Sequence, residues 1–122
     1  MSVQQREGIS YDLEERTFQS AKRVGLFVKS LPKTVGNIED GKQLVRASGS
    51  VGANYREANE ALSRKDFLMR VKIGRKEAKE SGYWLRLICE TNQLKESVEG
   101  KVLCDESNQL VRILSKIINN VK

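Results

Sequence analysis

The amino-acid sequence predicts an all-α protein, an antiparallel up-down-up-down bundle of four helices. Three observations predict it. Four segments repeat apolar or small residues every three or four positions, the period of one helix face. The breaks between these segments carry cap and stop residues. The composition, with 31% charged residues, 6% aromatic and a single proline, suits helices better than a sandwich or barrel. At 122 residues the chain fits one domain with room for a core.

The first helix is predicted over about residues 12–31. Asp12 and Glu15 have capping-box spacing, in which each side chain can take a free backbone N–H at the helix start. Phe18, Ala21, Gly25 and Val28, with Val24 and Leu31, then form its seam, and Leu31-Pro32 and Gly36 end it. Residues 1–11 read as a flexible N-terminal tail, and the bundle as 12–122. The second helix is predicted over about 38–62, starting near Asn37 with Asp40 three residues on. Leu44, Ala47, Val51, Asn54, Ala58 and Ala61 follow heptad spacing. That seam passes without a slip through Ala47-Ser48-Gly49-Ser50-Val51-Gly52-Ala53, a stretch that propensity alone would make a loop. Its small side chains would let a neighbouring helix come close.

Ser63 and Asp66 mark the start of a third helix over about 64–91. Phe67, Val71, Gly74, Ala78, Ser81, Leu85 and Ile88 keep strict 4-3 alternation along it, and Thr91-Asn92 ends it. The fourth is predicted over about 98–121, from near Ser97, with Leu103, Leu110, Leu114, Ile117 and Val121 as its seam. The connections are short, so successive helices should run antiparallel.

Several functions are disfavoured at once. The chain has no histidine, which removes the commonest general base and the commonest zinc ligand. The serines therefore lack a histidine base, and carboxylate metal sites of the Glu-x-x-His type cannot form. No glycine-rich phosphate loop is present. The expectation is a non-enzymatic protein with no catalytic residues, no metal and no cofactor. Cys89 and Cys104 read as two reduced thiols. No apolar run reaches the ~20 residues of a membrane span, and Met1 to Ser10 lack a signal-like apolar stretch. The expected location is the cytoplasm, with no membrane partner.

The third helix carries more than a core seam. At ~100° per residue, Met69, Ile73, Trp84 and Leu87 cluster nearly opposite the seam. A lone bundle helix buries one face and wets the other. Such a second stripe either folds over the rim of the core or joins subunits, and joining subunits is the favoured reading. Between the two apolar stripes lies a basic one: Arg64, Lys65, Lys72, Arg75, Lys76, Lys79 and Arg86. The chain's net charge is +6, and residues 63–92, with eight basic and four acidic side chains, supply most of it. A basic stripe is either a solvated face or a contact for phosphates, and without stacking residues beyond Tyr83 its binding would be mainly to the backbone and salt-dependent. Beside the seams, Arg46, Ser50, Asn54 and Glu57 on the second helix and Glu77 and Glu80 on the third read as a structural polar network, since unpaired buried charge is costly.

The string from Arg46 to Ala58, Arg46-Ala47-Ser48-Gly49-Ser50-Val51-Gly52-Ala53-Asn54-Tyr55-Arg56-Glu57-Ala58, resembles the R-S-x-x-S-V-x-x-N-I-x-E-G pattern of the proteins encoded in 23S ribosomal RNA intervening sequences. Lys65-Asp66-Phe67 and the run from Lys76 to Leu85 resemble two further stretches of that family, in order. Ala47, Tyr55 and Ala58 depart from the usual serine, isoleucine and glycine. The resemblance implies a four-helix bundle that assembles as a homopentamer. A related branch, the accessory proteins of diversity-generating retroelements, implies RNA or other nucleic acid as a partner, together with a nucleic-acid-associated protein. The function expected on these grounds is nucleic-acid binding through Lys65, Lys72, Arg75, Lys76, Lys79 and Arg86. The alternative is a protein-interaction scaffold.

Overall fold

The computed structural model describes residues 3–121, with side chains described from Asp12 to Val121. Four helices account for nearly all of it: α1 (Val3–Lys29), α2 (Val35–Asn59), α3 (Arg64–Thr91) and α4 (Val98–Val121). Side-chain pairings fix their directions. Thr17 lies against Gly52 and Val28 against Gly41, so α1 and α2 run in opposite senses. Arg46 pairs with Glu77 and Glu80 while Arg70 reaches back to Asn54, so α2 and α3 do too. Gly100 packs on Cys89 and Gly74 on Leu114, which sets α4 antiparallel to α3. Arg16 with Glu106 and Arg23 with Glu99 close the ring between α1 and α4. The architecture is an up-down-up-down bundle in which α2–α3 is the most extensive interface and α1–α4 the least.

Helix ends follow local chemistry, not always where the sequence suggested. α1 is helical from Val3, so Asp12 and Glu15 lie inside it and do not cap it. The tail expected over 1–11 is thus helix from Val3 onward, and Met1 and Ser2 lie outside the described residues. α2 is capped by Thr34, whose hydroxyl accepts the Asn37 N–H at 3.1 Å, and it ends at Asn59, which leaves Ala61 and Leu62 in the connection. A hydroxyl placed before the first turn satisfies a donor that has no partner inside the helix. Ser63 does the same for α3, accepting from Asp66 N–H, and Ser97 accepts from Gly100 N–H at the start of α4. α3 stops where Gln93 turns left-handed at φ 58° and Leu94 N–H bonds back to the Cys89 carbonyl at 2.7 Å. This is a Schellman-type end, with Leu94 packed on the core beyond it.

The core has two apolar clusters, one toward each end. Leu13, Val51, Tyr55, Ala58, Val71, Leu110, Leu114 and Ile118 build one. Val24, Phe27, Leu31, Leu44, Leu85, Ile88 and Leu103 build the other. Between them each helix contributes one buried hydroxyl residue: Thr17, Ser48, Ser81 and Ser107. Thr17, Ser48 and Ser81 donate to carbonyls three or four residues earlier in their own helix, so their burial leaves no donor stranded. Their small size draws the helices together at mid-height. At Gly52 an added Cβ would lie 2.8 Å from the Thr17 hydroxyl oxygen. That close approach explains why the glycine- and serine-rich stretch of α2 is helix despite its propensity.

The α1 seam differs from expectation. Val24 and Leu31 are buried, but Phe18 is 59% exposed, and Leu13, Thr17 and Phe27 fill the core in its place. Phe18, Ala21 and Val28 of that row are turned toward the outer edge of the α1–α2 interface. There they border two open grooves completed by Ile38, Val45, Gly49 and Ala53.

Candidate nucleic-acid interface

The basic residues sit on α3 at heptad-like spacing, so that Lys65, Lys72, Lys79 and Arg86 step ~10 Å at a time along the helix. Lys65, Lys72, Lys76, Lys79 and Arg86 are exposed, and Arg75 is half-buried. Among the described residues Lys65, Lys72, Arg75, Lys76 and Lys79 have no ion-pair partner. Arg75 leans across to α4, where its Nη1 donates to Ser115 Oγ at 3.3 Å. Arg86 differs from the rest: its Nε donates to Glu90 Oε2 at 2.8 Å. That hydrogen bond, with the charge of Lys95 beyond it, holds the Glu90 carboxyl below the usual carboxylate range. The upper end of the stripe is therefore partly neutralised, and the free positive charge is concentrated between Lys65 and Lys79.

Sequence reasoning missed two cations. Arg112 and Lys116 lie exposed on α4 on either side of Ser115, the residue that receives Arg75, and neither has an ion-pair partner among the described residues. They add exposed positive charge on the helix that Arg75 reaches. The signal available in the sequence was a basic i, i+4 pair away from the Leu110 and Leu114 seam. Only the antiparallel register brings Ser115, their neighbour on α4, to Arg75.

The second apolar stripe is divided. Met69 is 48% exposed, while Ile73 and Leu87 are half-buried. Trp84 is also half-buried, packed against the upper core cluster, and meets Tyr83 edge-on with ring centroids 5.0 Å apart. Between Ile73 and Trp84 the same side of α3 holds Glu77 and Glu80, both tied to Arg46 of α2 at 3.3 and 3.0 Å. Glu77 is only 8% exposed, and Arg46 is its one ion-pair partner among the described residues. The polar residues of α2 thus come together in part. Ser50 donates to the Arg46 carbonyl, Asn54 donates to the Ser50 carbonyl, and Asn54 Oδ1 accepts from Arg70 at 3.3 Å. Glu57 is exposed, with no side-chain partner among the described residues.

No helix among the described residues is long and apolar enough to cross a membrane. Nor do those residues group three or more Cys, Asp or Glu side chains as a metal ion would require. Cys89 and Cys104 are free thiols on facing helices.

A four-helix bundle with a run of α3 cations left unpaired among the described residues and an ion-pair cluster between α2 and α3 is the class of protein that this geometry defines. Residues 10–116 match the sequence profile of the 23S rRNA-intervening sequence protein family, and the chain belongs to that family. It is similar to a crystal structure from Bacteroides thetaiotaomicron, described as a protein of unknown function from the S23 ribosomal protein family. The identity is 30%, the TM-score 0.76, and the match covers 86% of this chain and 96% of that one. No curated protein matches the chain.

Proposed function

We propose that this protein is a non-enzymatic homo-oligomer, a homopentamer by the pattern of its family, that binds RNA or another nucleic acid through the α3 stripe. Lys65, Lys72, Arg75, Lys76 and Lys79 contact phosphates, and Arg86 joins them when Glu90 releases it. Met69, Ile73, Trp84 and Leu87 contact neighbouring subunits. The observation that carries this reading is the run of cations on α3 that keep no carboxylate partner among the described residues, whereas Arg16, Arg23, Arg46 and Arg56 each have one. Repetition of one modest stripe around a closed assembly would give an avid surface.

Charge reversal tests it. With Lys72, Arg75 and Lys79 changed to glutamate, log Kd plotted against log salt should flatten by roughly 0.7–0.9 for each phosphate no longer neutralised. Unchanged affinity and slope would remove the stripe from the mechanism. Trp84→Ala should lower the sedimentation mass of the assembly, and an unaltered mass would exclude that stripe from the subunit interface. A second reading, a protein-interaction scaffold, is favoured by the open apolar grooves beside Val28, Ile38 and Val45. Identification of the RNA and protein that co-purify from the native host separates the two.

A further inference from the structure

We infer that Tyr83 is a stacking platform that makes the α3 face selective for unpaired nucleotides over duplex. This inference rests on the nucleic-acid reading of the same face and adds the class of strand it takes.

Tyr83 is 62% exposed, the most exposed aromatic side chain among the described residues. On the helical wheel it falls inside the basic arc. Lys79 lies one turn before it, Arg86 one turn after and Lys76 two turns before, all within about 60° of its direction. An exposed aromatic ring gains nothing from helix propensity, and burial in the core does not account for this one.

The ring is also held ready. Tyr83 meets Trp84 at an interplanar angle of 85°, and Trp84 is anchored against the cluster of Leu44, Leu85 and Leu103. An edge-to-face contact uses at most one face of the tyrosine ring, so at least one face stays open whichever ring presents its edge. A side chain with two torsions and a packed tryptophan against it loses less freedom when a base settles on it than a long flexible side chain would. Glu80 and Glu90 share this arc but are tied to Arg46 and Arg86, so Lys76 and Lys79 would hold the phosphates on one side, and Arg86 on the other once Glu90 releases it.

Duplex excludes this use. Paired bases are stacked on one another and offer no free face, so a duplex could meet only the lysines and arginines. An unpaired strand could meet both the cations and the ring. Phosphate contact alone would bind the two forms through the same charges.

The test uses the intact oligomer and two labelled probes, an unstructured RNA of about 12 nucleotides and a duplex RNA of the same length, a size suited to one such groove. Tyr83→Ala should weaken binding of the single strand about 5-fold or more and that of the duplex less than about 2-fold. Tyr83→Phe, which keeps the ring, should bind the single strand like wild type. The salt dependence should have the same slope in all three proteins, because every phosphate-binding cation is retained. Equal losses on both probes, or a Tyr83→Ala protein that holds the single strand as tightly as wild type, would overturn the inference and leave the basic stripe standing. If the wild-type protein binds neither probe, the stripe reading falls, and this inference falls with it.

Discussion

Two glycines on one helix should respond in opposite ways to the same added methyl group. Gly49 and Gly52 both lie within α2. At Gly49 an added Cβ meets nothing within 4 Å, whereas at Gly52 it would lie 2.8 Å from Thr17 Oγ1 and 3.2 Å from Thr17 Cβ. Thr17 cannot step aside at low cost. It is 1% exposed, and its hydroxyl is engaged with the Leu13 and Glu14 carbonyls, both at 2.9 Å. Gly49→Ala should therefore gain the helix-propensity difference, up to about 1 kcal/mol. Gly52→Ala gains the same and loses about 1–3 kcal/mol to overpacking. The two variants should differ by about 1–3 kcal/mol, with Gly52→Ala the less stable. Urea unfolding followed by circular dichroism, fitted with a common m-value, measures that difference. A Gly52→Ala protein at least as stable as Gly49→Ala would refute the close approach of α1 to α2, and with it the reason given for the glycine- and serine-rich helix.

Gln93→Gly should stabilise the protein by about 0.5–1 kcal/mol, because position 93 has φ 58° and glycine adopts that region without steric cost; a thermal melt checks it. Asn37 and Asn92 exchange side-chain amide hydrogen bonds at 2.8 Å, and Asn37 also donates to the Pro32 carbonyl, so Asn37→Ala should cost about 1–3 kcal/mol in chemical unfolding. Leu114→Ala, at a fully buried position, should cost about 2–5 kcal/mol by the same measurement. Burial pushes the thiols of Cys89 and Cys104 up, and the neighbouring Cys104 adds to the rise at Cys89. A raised folded-state value means that their contribution is complete below the unfolded thiol value of about 8.5 and is lost as pH climbs through the folded one. As pH rises from the unfolded thiol value to the folded ones, wild type should therefore lose urea resistance faster than a variant with both cysteines changed to alanine.

The legible parts of the sequence were those decided within one helix. Ser63 and Asp66 announce α3 because a cap is a local bond, and the 4-3 seam from Val71 to Ile88 is buried throughout. The basic stripe was readable for the same reason, since one helix orders all of it. α1 was less readable. Its stretch offers two rows at helical spacing, and an apolar count prefers the row with Phe18 because Thr17 is polar. Thr17 is nevertheless the residue that fits against Gly52, and a polar side chain whose hydroxyl bonds inside its own helix is as well suited to a core as an apolar one. Arg112 and Lys116 were silent because their meaning comes from α3 across the helix pair. Glu77 and Glu80 were recognisable as needing a cation, and it took the α2–α3 register to show that one arginine serves both.

Pairing, more than composition, decides where this bundle is positive. Around the ring of helices four arginines are matched across helix pairs: Arg16 to Glu106 and Arg23 to Glu99 between α1 and α4, Arg56 to Glu14 between α2 and α1, and Arg46 to two glutamates between α2 and α3. These pairs are mostly exposed, so each adds little stability. Their larger effect is to neutralise those four arginines where they stand. Between α3 and α4, Lys72, Arg75, Lys79, Arg112 and Lys116 pair with no carboxylate among the described residues, and Arg75 bonds instead to a neutral serine. A net charge of +6 spread evenly would draw a polyanion weakly from every side. With most of it on α3, it gives an approaching strand a direction, and the ring of Tyr83 stands on that same helix.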